Sequence, residues 1–190
     1  MIIAGASAML AAASPGTADS ITRWQSHIAE ASQRFGIPEH WIRHVMAVQS
    51  AGQTMQNGRP IRSRAGAMGL MQLMPDTWKV LHDALNLGSD PDDPRDNILA
   101  GTAYLREMYD SFGYPGLFAA YNAGPGRYGD FLAGKRALPR ETSLYLRSIT
   151  DRIDGATETE KDQAPTLFIA TGEDKPGGER GIFVVKRTLP

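Results

Sequence analysis

The chain has 190 residues and a formal net charge of −1, and 42% of its residues are hydrophobic. This length suits one globular domain with a small appendage, and the near-neutral charge argues against the strong basic field that holds nucleic acid or an anionic membrane. The chain has no cysteine, which excludes a disulfide scaffold, a thiolate zinc site and a cysteine nucleophile.

An apolar, Ala-rich run occupies Ile2 to Ala13 and is followed by small residues at 14–16. This pattern is typical of an export signal with its cleavage region, and the run is too short to span a bilayer. No Lys or Arg precedes it, so a disordered or helical extension remains the alternative. We therefore expect residues 1–19 to lie outside the folded domain.

Two helices are predicted next. The first is capped by Ser20 and stops at Gly36, and the second begins at Pro38. The apolar stripe of the second helix comprises Ile42, Val45, Met46 and Gln49. Because these four positions share one face, Gln49 is expected to point inward rather than toward solvent.

The rest of the chain predicts further helices and then a tail. Residues 51–66 are interpreted as a loop, and 90–96 as a turn-rich link. Further helices are expected from Pro75 to near Gly88, from about Ile98 to Gly113, over 116–123 and 126–132, and from Glu141 to beyond Ile153. A polar linker is expected at 157–163, and β-branched runs at 166–170 and 182–186 indicate a β-hairpin. The domain would span 20–154 and the tail 155–190.

Four acidic residues, Asp90, Asp92, Asp93 and Asp96, form a cluster that could suggest calcium. Its two prolines and the missing loop pattern favour turns and helix capping instead. The four histidines do not form a metal set either. The sequence predicts neither a metal nor another cofactor.

Four segments carry chemistry-bearing residues in a recognisable order. They are Gln49-Ser50-Ala51-Gly52, the block from Ser63 to Pro75 containing Gly69-Leu70-Met71-Gln72, the helix positions Asn97, Gly101, Tyr104 and Leu105, and Ala120-Tyr121-Asn122-Ala123-Gly124 with Glu141, Thr142 and Tyr145 beyond. Each alone is weak, because Met and Gln pack into ordinary cores. Together, over about residues 22–150, they resemble the soluble lytic transglycosylases, a family with a goose-type-lysozyme-like SLT domain.

The resemblance implies a mainly α, lysozyme-like helical domain with a small irregular or β element. It implies an exported, periplasmic enzyme acting on the MurNAc-GlcNAc strands of peptidoglycan. In that family one glutamate protonates the leaving oxygen and then takes a proton from the muramic 6-hydroxyl, closing a 1,6-anhydro ring. Position 49 matches that glutamate, yet this chain carries Gln49.

The resemblance also implies roles for other residues. Tyr121 matches a tyrosine that orients the catalytic acid or stabilises charge beside it. Substrate-binding positions are Ser50, Ser63, Gly69, Leu70, Met71, Gln72, Asn122 and Tyr145. Within this set, Ser63 and Gln72 are expected to offer hydrogen bonds to N-acetyl groups, and residues 69–71 to form an apolar wall against the sugars.

A glutamate at position 49 would lie on an apolar stripe, where desolvation raises its pKa and holds it protonated. Glutamine can neither give nor take that proton, and general acid–base catalysis is typically worth about 10²- to 10⁴-fold. We therefore predict a chain that binds glycan but scarcely cleaves it, through an engineered exchange or as a naturally inactive relative.

Three alternatives remain open from the sequence. They are a hydrolytic lysozyme, a non-catalytic wall-binding module and a generic helical interaction protein. The chain is expected to be monomeric, not inserted in a membrane and without a nucleic-acid partner. By analogy with small relatives, its tail would dock on a secretion or conjugation assembly.

Overall fold

The computed structural model describes residues 20–162, with side chains up to residue 153. The signal-like segment and the expected β-hairpin at 166–186 lie outside the described residues. Within them we number the helices α1 (Gln25–Phe35), α2 (Glu39–Ser50), α3 (Pro75–Leu85), α4 (Pro94–Phe112), α5 (Gly116–Ala123), α6 (Pro125–Leu132) and α7 (Arg140–Asp162), and the strands β1 (Met55–Gln56) and β2 (Arg59–Pro60). The fold is mainly α, as predicted.

Helix α4 is central, because it packs against α1, α3 and α5. Helix α5 is buried on all sides, which agrees with its almost entirely apolar sequence. Helix α7 packs on α2 and α5. The inward stripe of α2 is buried as predicted, and Ile42, Val45 and Met46 belong to a single hydrophobic core.

Proline and left-handed residues set the helix ends. Proline occupies the first turn of α3, α4 and α6. Helices α2 and α3 end at Ala51 and Asn86, both in the left-handed conformation. These local rules account for the boundaries around the site described below.

The acidic segment serves turns and caps, as the sequence indicates. The Asp93 carboxylate accepts a hydrogen bond from the Asp96 amide at 2.8 Å and so caps α4. The Asp96 carboxylate accepts from the Gly88 amide at 2.7 Å, and Asp92 pairs with Arg62. This confirms the interpretation as turns and helix capping.

Four features differ from prediction. Helix α4 begins at Pro94, inside the segment 90–96 that was interpreted as a link, because Asp93 caps it there. Residues 51–66 contain the β1–β2 hairpin, whose Asn57-Gly58 turn has both φ angles positive; Asn-Gly is a strong hairpin signal that the loop interpretation overlooked. The first helix is interrupted at 23–24. Helix α7 runs to Asp162, so the linker predicted from 157 is helical over 157–162, because Ala, Glu and Lys after Gly155 favour helix and no proline stops them.

Over residues 20–162, no helix has the length and apolar character needed to cross a membrane.

Candidate functional site

A cleft of about 700 Å³ opens where α2, α4 and α5 meet the starts of α3 and α6. It is lined by Gln49, Ala65, residues 72–77, Tyr104, and residues 121–127. A smaller cavity of about 180 Å³ lies under the β1–β2 hairpin and is lined by residues 47–51, Gln53, Met55, Gln56 and Ile61. Both are concave spaces in which a ligand could be bound.

Gln49 is common to the two cavities. It is the penultimate residue of α2 and only 8% exposed. The apolar stripe of α2 carries it inward, and the left-handed Ala51 ends the helix immediately after it. The helix therefore delivers a single polar head group to the wall of the cleft.

Tyr145 of α7 lies against Gln49. Its side chain is 1% exposed, and burial raises the pKa of its hydroxyl well above the ordinary value, while the contact with the Gln49 carboxamide lowers it by less. The contact does not have ordinary hydrogen-bond geometry, so the Tyr145 hydroxyl has no hydrogen-bond partner among the described residues. A buried donor beside position 49 is thus left unsatisfied.

Tyr121 and Asn122 of α5 form another part of the wall. The Tyr121 hydroxyl donates to the Met71 carbonyl at 2.7 Å, and burial raises its pKa well above the usual value. The Asn122 side-chain oxygen accepts from the Thr142 hydroxyl at 2.8 Å, whereas its amide nitrogen has no partner among the described residues. The Tyr121 side chain and the Asn122 carboxamide are therefore each fixed by a hydrogen bond to another part of the fold.

One face of α4 supports the segment that leads into α3. The Asn97 side-chain oxygen accepts from the Met71 amide at 2.8 Å, and its nitrogen donates to the Pro91 carbonyl at 2.9 Å. A Cβ on Gly69, whose φ is +72°, would lie 2.3 Å from Asn97, and one on Gly101 would lie 2.4 Å from Met71. These two glycines permit contacts that no larger residue would allow.

Four of the predicted site residues meet in the cleft: Gln49, Gln72, Tyr121 and Asn122. Gln72 has a positive φ of 50°, and the nitrogen of its side-chain carboxamide donates to the Gly69 carbonyl at 2.8 Å. This leaves the Gln72 side-chain oxygen free to accept from a ligand.

Ser50 lines the smaller cavity instead. Its hydroxyl donates to the Met46 carbonyl at 3.2 Å and accepts from the Gly52 amide at 3.2 Å, so it finishes the end of α2.

The structure does not bring Gly69, Leu70 and Met71 to the wall of the cleft, and their predicted role as an apolar wall against the sugars stays a prediction. All three are buried and none lines the cleft, because the segment turns them onto α4 and into the core. Leu73 and Met74 line it in their place. Ser63 also does not line the cleft; its side-chain oxygen accepts from the Ala67 amide at 3.0 Å and shapes that turn.

Among the cleft residues that were not predicted as site residues, Tyr104 is aromatic and Asp76 and Arg127 are charged. Tyr104 could have been found, since it shares one face of α4 with Asn97 and Gly101 at helical spacing. Asp76 and Arg127 each lie in the first turn of a helix, and only the tertiary fold turns both helix starts toward one space. Within residues 20–153, no group of three His, Cys, Asp or Glu side chains could hold a metal ion.

Comparison with known proteins identifies the class. Residues 26–143 match the transglycosylase SLT domain family, and this chain belongs to it. The soluble lytic murein transglycosylase of Salmonella typhimurium is 43% identical over 99 residues, and that of Escherichia coli K12 is 43% identical over 96 residues. A transglycosylase of Enterobacteria phage PRD1 is 36% identical over 92 residues.

These matches cover 47% to 48% of this chain but only 15% of the two bacterial relatives and 31% of the phage protein. The matched segments of the relatives are thus small parts of longer chains.

Solved structures of lytic transglycosylases are also similar to this chain. An inactive glutamate-to-glutamine mutant of the lytic transglycosylase Slt from Pseudomonas aeruginosa is 29% identical, with a TM-score of 0.59, over 75% of this chain and 25% of that one. A 70-kDa soluble lytic transglycosylase in complex with bulgecin A is 28% identical, with a TM-score of 0.60, over 78% and 26%. The lysozyme-like helical fold predicted from the motifs is confirmed.

Proposed function

We propose that this domain is a peptidoglycan lytic transglycosylase whose proton-transfer position is occupied by Gln49. The observation that carries the proposal is the placement of Gln49, which is 8% exposed, on the wall of the 700 Å³ cleft with Tyr145 against it. The cleft would hold the MurNAc-GlcNAc strand, with Gln72, Tyr121 and Asn122 beside the sugars.

With glutamate at position 49, the cleavage would run in two proton transfers. The buried carboxylic acid, whose pKa desolvation raises, protonates the glycosidic oxygen as the bond to the anomeric carbon breaks. The resulting carboxylate then removes the proton of the muramic 6-hydroxyl, and that oxygen attacks the anomeric carbon to close the 1,6-anhydro ring. No water is consumed, so a second carboxylate is not needed.

Tyr145 would position this group. Its raised pKa keeps the hydroxyl protonated, so the hydroxyl that lacks a partner beside Gln49 can donate to a carboxylate there. Tyr121 would act differently from the expectation, because its proton is directed to the Met71 carbonyl and its oxygen can only accept from the substrate.

Gln49 itself would leave the chain able to bind glycan and nearly unable to cleave it. Support comes from the similar Pseudomonas aeruginosa structure, which is of an inactive mutant carrying the same kind of exchange. A carboxamide retains the shape of the acid and cannot transfer the proton.

We further propose that the folded domain spans about 20–154, that it acts in the periplasm or elsewhere in the cell envelope, where peptidoglycan lies, and that it works as a monomer. Docking on a secretion or conjugation assembly through the tail stays a prediction, since residues 163–190 are outside the described part of the chain.

The test is the product formed by the Gln49→Glu protein on purified sacculi, analysed by mass spectrometry. We expect 1,6-anhydro-muropeptides. The matched control adds Asp76→Asn, which removes the other carboxylate that lines the cleft; it should leave the product unchanged and the rate within about 5-fold. Products with reducing-end muramic acid that vanish with Asp76→Asn would indicate a two-carboxylate hydrolase instead.

A further inference from the structure

Arg127 is a cation without a partner in the cleft. It is the one Lys or Arg among the described residues that line the space, and it is half-buried there. It forms no ion pair or hydrogen bond within residues 20–153, whereas Arg62, Arg95 and Arg106 each pair with a carboxylate. A half-buried arginine at the wall of a cavity, with no ion pair of its own, is therefore available to an incoming anion.

The start of α6 reinforces this charge. Its first turn contains no acidic residue, and no side chain caps it. The exposed amides at a helix start carry partial positive charge, so a cation there is unfavourable unless an anion binds. The other helix start in the cleft, that of α3, carries Asp76 in its first turn. The two helix starts in the cleft thus differ in charge, and the one that carries Arg127 is the one suited to an anion.

The identity of the anion rests on the proposed function. In MurNAc-GlcNAc strands the sugar rings are neutral, and the negative charges are carboxylates on the 3-O-lactyl arm of MurNAc, either the lactyl carboxylate itself or those of an attached peptide stem. We propose that Arg127 binds a carboxylate of this muramyl side arm. The cleft would thereby distinguish muramyl strands from strands made only of GlcNAc.

The experiment measures affinity by calorimetry with the chain as it exists. The probes are chitohexaose, which has no carboxylate, stem-free glycan, which has the lactyl carboxylate, and stem-bearing glycan. Arg127→Ala should weaken binding of a carboxylate-bearing probe by about 5- to 30-fold and that of chitohexaose by less than about 2-fold. Arg127→Lys should recover part of the loss.

Lys79→Ala is the matched control, since it removes an exposed cation of α3 that does not line the cleft; it should change no affinity. A loss confined to stem-bearing glycan assigns the stem carboxylate, and a loss that is also seen with stem-free glycan assigns the lactyl carboxylate. The inference would be overturned if Arg127→Ala bound the carboxylate-bearing probes as tightly as the unaltered chain does. It would also be overturned if Arg127→Ala lost as much affinity for chitohexaose as for those probes. Either result would leave the proposed function intact. Failure of the unaltered chain to bind any of the three would overturn the proposed function with it.

Discussion

Two side chains from different helices meet at position 49. Helix α2 supplies the head group and α7 supplies Tyr145, whose hydroxyl is buried without a hydrogen-bond partner among the described residues. Such an arrangement costs stability with glutamine present, because a buried donor is left unsatisfied. It becomes favourable when a carboxylate occupies the site, which is the state that the proposed second proton transfer requires.

Tyr145→Phe tests this burial through pH. The Tyr145 pKa is raised on folding, so the unfolded chain loses the proton near pH 10 while the folded chain keeps it. The stability that this adds is complete below pH 10 and is lost as the pH rises above it. We expect urea unfolding at pH 8 to show that Tyr145→Phe is as stable as the unaltered chain or more stable. Between pH 9 and 11 the free energy of unfolding of Tyr145→Phe should fall by about 1.4 kcal/mol less than that of the unaltered chain. Parallel pH curves would refute the assignment.

At the scale of elements, the cleft depends on how closely α4 approaches the segment 68–74. Gly101 contacts Met71 so tightly that a Cβ would lie 2.4 Å from it, and Asn97 binds the Met71 amide on the same side. Tyr121 holds the Met71 carbonyl from α5. Met71 is thus fixed from two helices, and Gln72 is placed in the cleft as a consequence.

Gly101→Ala should therefore destabilise the protein by about 1–3 kcal/mol, because overpacking displaces Met71. Gly129→Ala on α6 is the matched control, since a Cβ there would meet nothing within 4 Å; it should be neutral or stabilising by about 0.5–1 kcal/mol. Thermal unfolding of both variants measures the difference. Equal melting temperatures would show that this approach is not a constraint.

The same elements show what the sequence could and could not predict. Helical spacing placed Gln49 inward and located α2 to α6 within a few residues, because those signals are local. It could not show that Leu70 and Met71 turn into the core, since an apolar residue beside a motif suits a sugar wall equally well. Nor could it bring the starts of α3 and α6 together, because their contact with one cleft depends on tertiary packing.

At the scale of the whole molecule, residues 20–153 supply a core and a cleft whose wall carries the buried polar groups of Gln49, Tyr121 and Asn122. The matched part of the bacterial relatives is 15% of their length, so an SLT domain can be carried inside much longer chains. The residues that line this cleft all lie between positions 49 and 127, so Gln49→Glu can be compared with the unaltered chain directly.

The central claim is that the group at position 49 transfers the protons of the reaction. Release of soluble muropeptides from identical sacculi should be compared for the unaltered chain and for Gln49→Glu, after melting temperatures show that both are folded. We predict that the initial rate rises by about 100-fold or more on restoring the carboxyl group. Initial rates within about 3-fold of each other would contradict the account, whether both proteins cleave glycan or neither does.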